Sequence, residues 1–172
     1  MNMENFNVKK ENSTHIEQSI PLIVFRLGKE EYGIKIEQVK EVTITPSITK
    51  MPKTPSFIRG VANIRGDIIA IMDLQERFGI LTKEEDDTSR NTYTLVVERE
   101  NYSIGLIVKE VPQTLTLRTS QIEKTPGILA DSDISEKYIE GIGKADGRLI
   151  IMLDIYKILT FEEERQLLEK QA

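Results

Sequence analysis

The chain has 172 residues, a length that suits one domain or two small ones tightly joined, and it can bury about 70% of the surface its unfolded form exposes. Apolar residues make up 39% and charged residues 30%, with net charge -5 and a pI near 5.1, which argues against a nucleic-acid or anionic-membrane binder. There is no cysteine, so disulfides, thiolate zinc sites and thiol nucleophiles are excluded, and no apolar run approaches the roughly 18 residues of a membrane helix.

Residues 1–19 read as a flexible polar tail with no signal-peptide core, consistent with a cytoplasmic protein. The tail carries the only histidine, His15, which reads as a solvated side chain because nothing around it would hold a catalytic base or a metal. LIVFRL (22–27) is rich in β-branched and aromatic residues and predicts a strand. GKEEYG (28–33) reads as a hairpin turn, and IKIEQVKEV (34–42) alternates apolar with polar like a second strand. TPSITKMPKTPSF (45–57) carries three prolines and reads as loop or sheet edge. DIIAIMDL (67–74) is a buried strand, and TKEEDDTSRN (82–91) is a linker. Strands return in TYTLVVE (92–98), YSIGLIVKEV (102–111), TLTL (114–117) and RLIIMLDI (148–155). The end, from 160 to 172, reads as a helix with Thr160 as N-cap and Glu163 completing a capping box. Many short strands with frequent turns point to barrels or sandwiches.

The chain repeats itself. FIRGVANIRGDIIAIMDL (57–74) aligns without a gap on YIEGIGKADGRLIIMLDI (138–155), matching Gly60 with Gly141, Gly66 with Gly147 and Asp73 with Asp154. Upstream, VKEV occurs at 39–42 and again at 108–111, so the second unit carries extra residues, expected in 123–137. A duplicated set of strands predicts two similar small barrels, split near 82–91: one subdomain of about 20–84 and another of about 90–158. Positions kept in both units serve the shared fold. Gly66 and Gly147 are expected to supply a turn with φ > 0. Asp73 and Asp154 each follow a strand and open a helical turn, so capping explains them, with DLQE even having the form of a capping box. The rival reading makes them the carboxylate pair of a small enzyme, which requires the two to meet in a cleft.

Positions that differ are candidates for a specific task. Arg65 aligns with Asp146 and Arg59 with Glu140, both reversals of charge. Arginine suits carboxylate recognition because its fork binds both oxygens. If the strand over 34–42 is regular, Val39 and Glu41 share a face, and an apolar-plus-acid surface beside Arg65 could grip an amphipathic helix. The plainer reading makes Val39 core and Glu41 a solvated edge charge, matched by Glu110. Phosphate loops, dinucleotide fingerprints, nucleophile elbows and metal-ligand clusters are absent, so no cofactor or metal is expected. A nucleic-acid-binding barrel conflicts with the acidic balance.

LIVFRLGKEEYGIKIEQVKEV, PSFIRGVANIRGDIIAIMDL and GRLIIMLDI together resemble the CheW family of bacterial chemotaxis coupling proteins, in the family's order over roughly residues 20–160. The resemblance implies two five-stranded SH3-like barrels sharing a core. It implies a non-catalytic adaptor, cytoplasmic and recruited to membrane-associated receptor arrays. Its partners would be the cytoplasmic hairpin tip of methyl-accepting chemoreceptors and the CheW-like regulatory domain of the histidine kinase CheA. Family receptor contacts carry over to Val39, Glu41, Ile64 and Arg65, with Ile64 replacing leucine, in a groove between the barrels. Kinase contacts carry over to Ile48, Met51 and Gly60, although Gly60 recurs as Gly141, and the plainer reading makes it a fold glycine. Within the family the alternative is a paralogue scaffolding a different two-component cluster.

Overall fold

The computed structural model describes residues 17–80, 91–124, 138–159 and 163. His15, most of the linker, most of the segment expected to hold the extra residues, and the C-terminal helix other than Glu163 lie outside them. The chain is mostly β. Strand β1 (Ser19–Leu27) begins inside the expected tail and runs antiparallel to β2 (Glu30–Lys35), with Leu27 opposite Glu30. The turn is therefore only Gly28 and Lys29. Most of GKEEYG is strand, because Tyr32 is a core residue whose ring stacks 6.4 Å from that of Phe25. The expected continuous strand over 34–42 is also interrupted: a 3-10 helix, Ile36–Gln38, turns the chain before β3 (Val39–Ile44). Then come β4 (Ile58–Ile64), β5 (Asp67–Asp73) and the one-turn helix α1 (Leu74–Arg77). The second half supplies β6 (Tyr93–Glu98), β7 (Ser103–Val108), β8 (Gln113–Arg118), the two-residue β9 (Ile122–Glu123), β10 (Ile139–Ala145) and β11 (Arg148–Leu153).

Two sheets form, in the orders β8-β1-β2-β11-β10-β9 and β3-β6-β7-β5-β4. They are the two SH3-like subdomains, each with five main strands. The short β9 beside β10 has its counterpart in the isolated bridge of Thr49 to Val61 beside β4. A boundary near 82–91 separates the sequence repeats but does not separate the barrels. The β1–β2 hairpin of the first repeat joins β8, β10 and β11 of the second, and β6–β7 joins β3, β4 and β5. Ladder register decides this: β2 runs parallel to β11, with Gly33 opposite Met152, as β7 runs parallel to β5, with Gly105 opposite Ile71. Neither repeat closes a barrel alone.

The exchange also changes the alignment of the repeats. Glu41 lies opposite Val96 and Gln113 opposite Val24, and those two partners face Gly105 and Gly33 in turn. The structural counterpart of Glu41 is therefore Gln113, not Glu110, and VKEV at 108–111 straddles the end of β7. Glu41 thus belongs with Arg65 among the positions where the units differ.

One core cluster draws on both sheets, from Phe25, Tyr32 and Ile34 to Met72, Leu95 and Leu106. Two smaller clusters fill the barrels, one around Leu22, Leu117 and Ile150, the other around Ala62, Ile64, Ile69 and Ile71. The Arg148 fork binds Glu31 across the β2–β11 seam through bonds of 2.9 and 2.6 Å. That hydrogen bond holds the Glu31 carboxyl below its ordinary value. A carboxyl whose folded pKa is depressed stabilises the fold above its unfolded pKa, about 4.3, and loses that contribution as pH falls through the folded value. The stability gap between wild type and Arg148→Met is thus expected to be constant above about pH 5 and to shrink in more acid solution. Urea melts at a series of pH values check this.

Candidate functional site

The β4–β5 hairpin turns on Arg65 and Gly66, with φ of 52° and 90°. The second repeat uses Asp146 and Gly147, with φ of 49° and 76°. Positive φ at both central residues is the type I′ hairpin turn, which favours Asn-Gly or Asp-Gly. Asp146 follows that preference and Arg65 breaks it, so the guanidinium occupies its place at some conformational cost. Asn63 steadies the turn, its Oδ1 accepting from the Gly66 N–H at 2.9 Å. Arg65→Asn is expected to raise stability slightly, by about 0.5–1 kcal/mol, because it removes a left-handed arginine at the cost of an ion pair whose cation is mostly in water. Chemical melts check the sign.

From this turn the Arg65 Nε reaches the Glu41 Oε2 at 2.7 Å. The Arg65 side chain is 81% exposed and that of Glu41 17%. A largely covered carboxylate therefore orients an open guanidinium, which still has donors for a second carboxylate. Val39 does not share the face of Glu41. A bulge at Lys40 sets Val39 opposite Val97 and Glu41 opposite Val96. Those two valines enter different core clusters, and Val39 packs against the one that joins the sheets. The expected receptor contact Ile64 is corrected: it is 5% exposed, inside the barrel cluster. Its side chain supports the Arg65 turn from beneath and has no surface to offer a partner.

Directly after Glu41, Val42 and Ile44 wall an open cleft of about 290 Å³ between the sheets. Ile23, Tyr93, Val111 and Pro112 complete its apolar lining. Ile44 and Val111 are 59% and 63% exposed, so the cleft presents bare hydrocarbon. The sequence reading missed these residues. Their signal was present, since VKEVTI read as a regular strand is apolar on both faces, more than a half-buried strand needs.

Ile48 and Met51 are half-buried on the loop 45–57, with Ile48 against the barrel cluster. The loop is laced to β4 by Thr49 N–H to Val61 O at 2.8 Å and Val61 N–H to Thr49 O at 2.9 Å. Gly60, the third expected kinase contact, is buried beneath it, and a Cβ there would overlap the Thr49 carbonyl oxygen. Gly60 therefore seats the loop rather than touching a partner.

Asp73 caps α1, its Oδ1 accepting from the Glu76 N–H at 3.3 Å, and binds Arg59 at 2.6 Å. Asp154 caps the 3-10 helix Ile155–Lys157 through the Tyr156 N–H at 3.2 Å. Each carboxylate caps the helical turn that follows its own strand. Among the described residues no His, Asp and Glu cluster suits a metal, and no helix is long and apolar enough to cross a membrane.

Paired SH3-like barrels with an open apolar cleft and an oriented surface arginine define a scaffold built for contact with other proteins. Comparison with known proteins gives the family: the CheW-like domain matches residues 21–163. The chain belongs to the CheW family of chemotaxis scaffold proteins. It is 35% identical over 141 residues to the chemotaxis protein CheW of Klebsiella aerogenes, covering 82% of each chain. It is 31% identical over 152 residues to CheW of Bacillus subtilis, covering 88% of this chain and 94% of that one. The crystal structure of the scaffolding protein TtCheW from Thermoanaerobacter tengcongensis superposes with a TM-score of 0.74 at 34% identity, over 85% of this chain and 96% of that chain.

Proposed function

We propose that this chain is a non-catalytic chemotaxis adaptor in the cytoplasm that joins the cytoplasmic tip of chemoreceptors to the histidine kinase CheA in membrane-associated arrays. The observation that carries this reading is that one strand, β3, walls the apolar cleft with Val42 and Ile44 and orients the open Arg65 guanidinium through Glu41. An amphipathic receptor helix would lay its apolar stripe on Val42, Ile44 and Val111 and turn a carboxylate toward Arg65. Val39, at the start of β3, packs against the cluster that joins the sheets and supports that wall. The kinase regulatory domain would meet the loop that carries Ile48 and Met51. Coupling needs no chemistry: one scaffold binding both partners makes the state of one bear on the other.

Titration calorimetry with the CheA regulatory domain and with a receptor-tip hairpin tests this, with saturable binding of each at micromolar or tighter Kd expected. Absence of either would remove that partner. Ile44→Asp is expected to weaken receptor binding about tenfold or more and leave kinase-domain affinity within about twofold, because it places a charge in the cleft without entering the core. A second reading, a paralogue serving a different signalling cluster, draws on a match to the protein FrzA of Myxococcus xanthus, 29% identical over 143 residues. Stronger binding to a kinase other than CheA would favour it.

A further inference from the structure

Arg77 stands at the joint between the barrels. Its guanidinium carbon lies 4.8 Å from the centre of the Phe57 ring and 5.2 Å from that of Tyr138. Nη2 donates to the Tyr138 hydroxyl at 2.8 Å and Nε to the Ile158 carbonyl at 3.1 Å, while Glu163 pairs with it at 3.5 Å. The side chain is 14% exposed. The repeat alignment makes the arrangement more informative. Arg77 aligns with Ile158 and Phe57 with Tyr138, so a residue of the first repeat reaches across to its own counterpart in the second. Ile158 fills its place with hydrocarbon alone and is fully buried. Packing at this position therefore does not require an arginine. What Arg77 adds is direction: a planar fork with fixed donors fits one relative placement of its partners, whereas an apolar contact tolerates sliding.

We propose that Arg77 is a positioning residue that fixes how the two barrels sit against each other, so that occupancy of the cleft is felt at the loop 45–57. The proposal rests on the adaptor reading only in naming those two surfaces as docking sites. On one side of Arg77, Phe57 ends the loop, and its carbonyl accepts from the Asp73 N–H at 2.8 Å. On the other side, the Tyr138 ring continues a column through Phe78, Tyr32 and Phe25, with ring centres 5.8, 6.1 and 6.4 Å apart. That column lies in the cluster that also holds Ile23, which lines the cleft. One packed body runs from cleft to loop, and the directional fork at its end converts a small change of barrel angle into a change at Phe57.

The chain has no cysteine, so spin labels at Lys50→Cys and Thr116→Cys, one on the loop and one on β8 of the other barrel, report the barrel-to-loop distance. Pulsed dipolar spectroscopy is expected to give one narrow distance distribution in the parent. With Arg77→Met added, the distribution should broaden or shift while circular dichroism stays unchanged. An unchanged distribution overturns the positioning role, whatever the partners are. In a three-component titration, the factor by which receptor tip alters kinase-domain affinity, about fivefold or more in wild type, should fall below about twofold in Arg77→Met, with each binary affinity kept. A retained factor, or none in wild type, overturns the relay. If neither partner binds wild type, the adaptor reading fails while the distance measurement still decides the positioning role. Should Arg77→Met fail to fold, Tyr138→Phe, which deletes one acceptor, and Arg77→Lys, which keeps charge but not the fork, carry the same measurements.

Discussion

Gly60→Ala is expected to lower the melting temperature by roughly 6–15 °C, the shift that about 3–5 kcal/mol produces in a domain of this size. Gly60 has φ 142°, which side chains rarely adopt, and its missing Cβ is where the Thr49 backbone passes. An added carbon would lie 2.7 Å from the Thr49 carbonyl carbon and 3.0 Å from the Ile48 Cγ2. A backbone carbonyl cannot rotate aside as a side chain can. Either the Thr49–Val61 pair of hydrogen bonds breaks or β4 shifts in its ladder. Both displace Ile48 and Met51, so affinity for the CheA regulatory domain should fall by more than the unfolded fraction explains. Gly141→Ala is the control. A Cβ there would meet the Glu123 carbonyl oxygen at 2.9 Å, without the positive φ and outside the proposed kinase surface. It should cost less, about 1–2 kcal/mol, and spare kinase binding. Equal losses of kinase affinity from both would sever loop 45–57 from the kinase. Differential scanning calorimetry and titration calorimetry on the same samples measure both quantities.

The duplication was legible because a gapless alignment holds glycines and aspartates at turns and caps, where backbone geometry leaves little choice. Gly66 and Gly147 do take positive φ, and Asp73 and Asp154 do cap. The exchange of hairpins between repeats was not legible. Pattern along a chain shows which face of a strand is buried, but not which strand lies beside it, and the apolar face of β1–β2 names no partner strand. The missing Val39–Glu41 face has a similar origin: a bulge at Lys40 changes register through one backbone position and leaves no mark in composition. Ile64 entered the candidate site through the family motif around Arg65, and Gly60 through its place beside the family's kinase loop. Motif membership joins residues that present a group with residues that make presenting it possible, and only burial separates the two. Arg77 escaped notice because an arginine at the end of a short helix usually faces water. Its partners Tyr138 and Ile158 lie in the other repeat, 61 and 81 residues away.

Arg65→Glu is expected to weaken receptor-tip binding about 100-fold, near 2.7 kcal/mol, and to leave kinase-domain affinity within about twofold. Two losses combine. The substitution removes the open guanidinium that would take a receptor carboxylate, and it faces that carboxylate with a like charge. It also places two carboxylates where Arg65 and Glu41 now meet at 2.7 Å, so the turn loses the contact that aims it. Stability should change by no more than about 1 kcal/mol, since the arginine side chain is 81% exposed and such pairs contribute little in water. Affinity and stability are therefore separable here, unlike at Gly60. Arg65→Asn isolates the lost attraction: it removes the cation without adding repulsion, suits the I′ turn, and should weaken binding only about tenfold. Raising ionic strength should weaken receptor binding of the wild type and have less effect on Arg65→Asn, because the attraction being screened is gone. The order wild type, Asn, Glu would assign the Arg65 charge to the receptor. Unchanged receptor affinity in Arg65→Glu, with the fold verified, would move the receptor site away from the Arg65 turn and leave the apolar cleft to act without that charge.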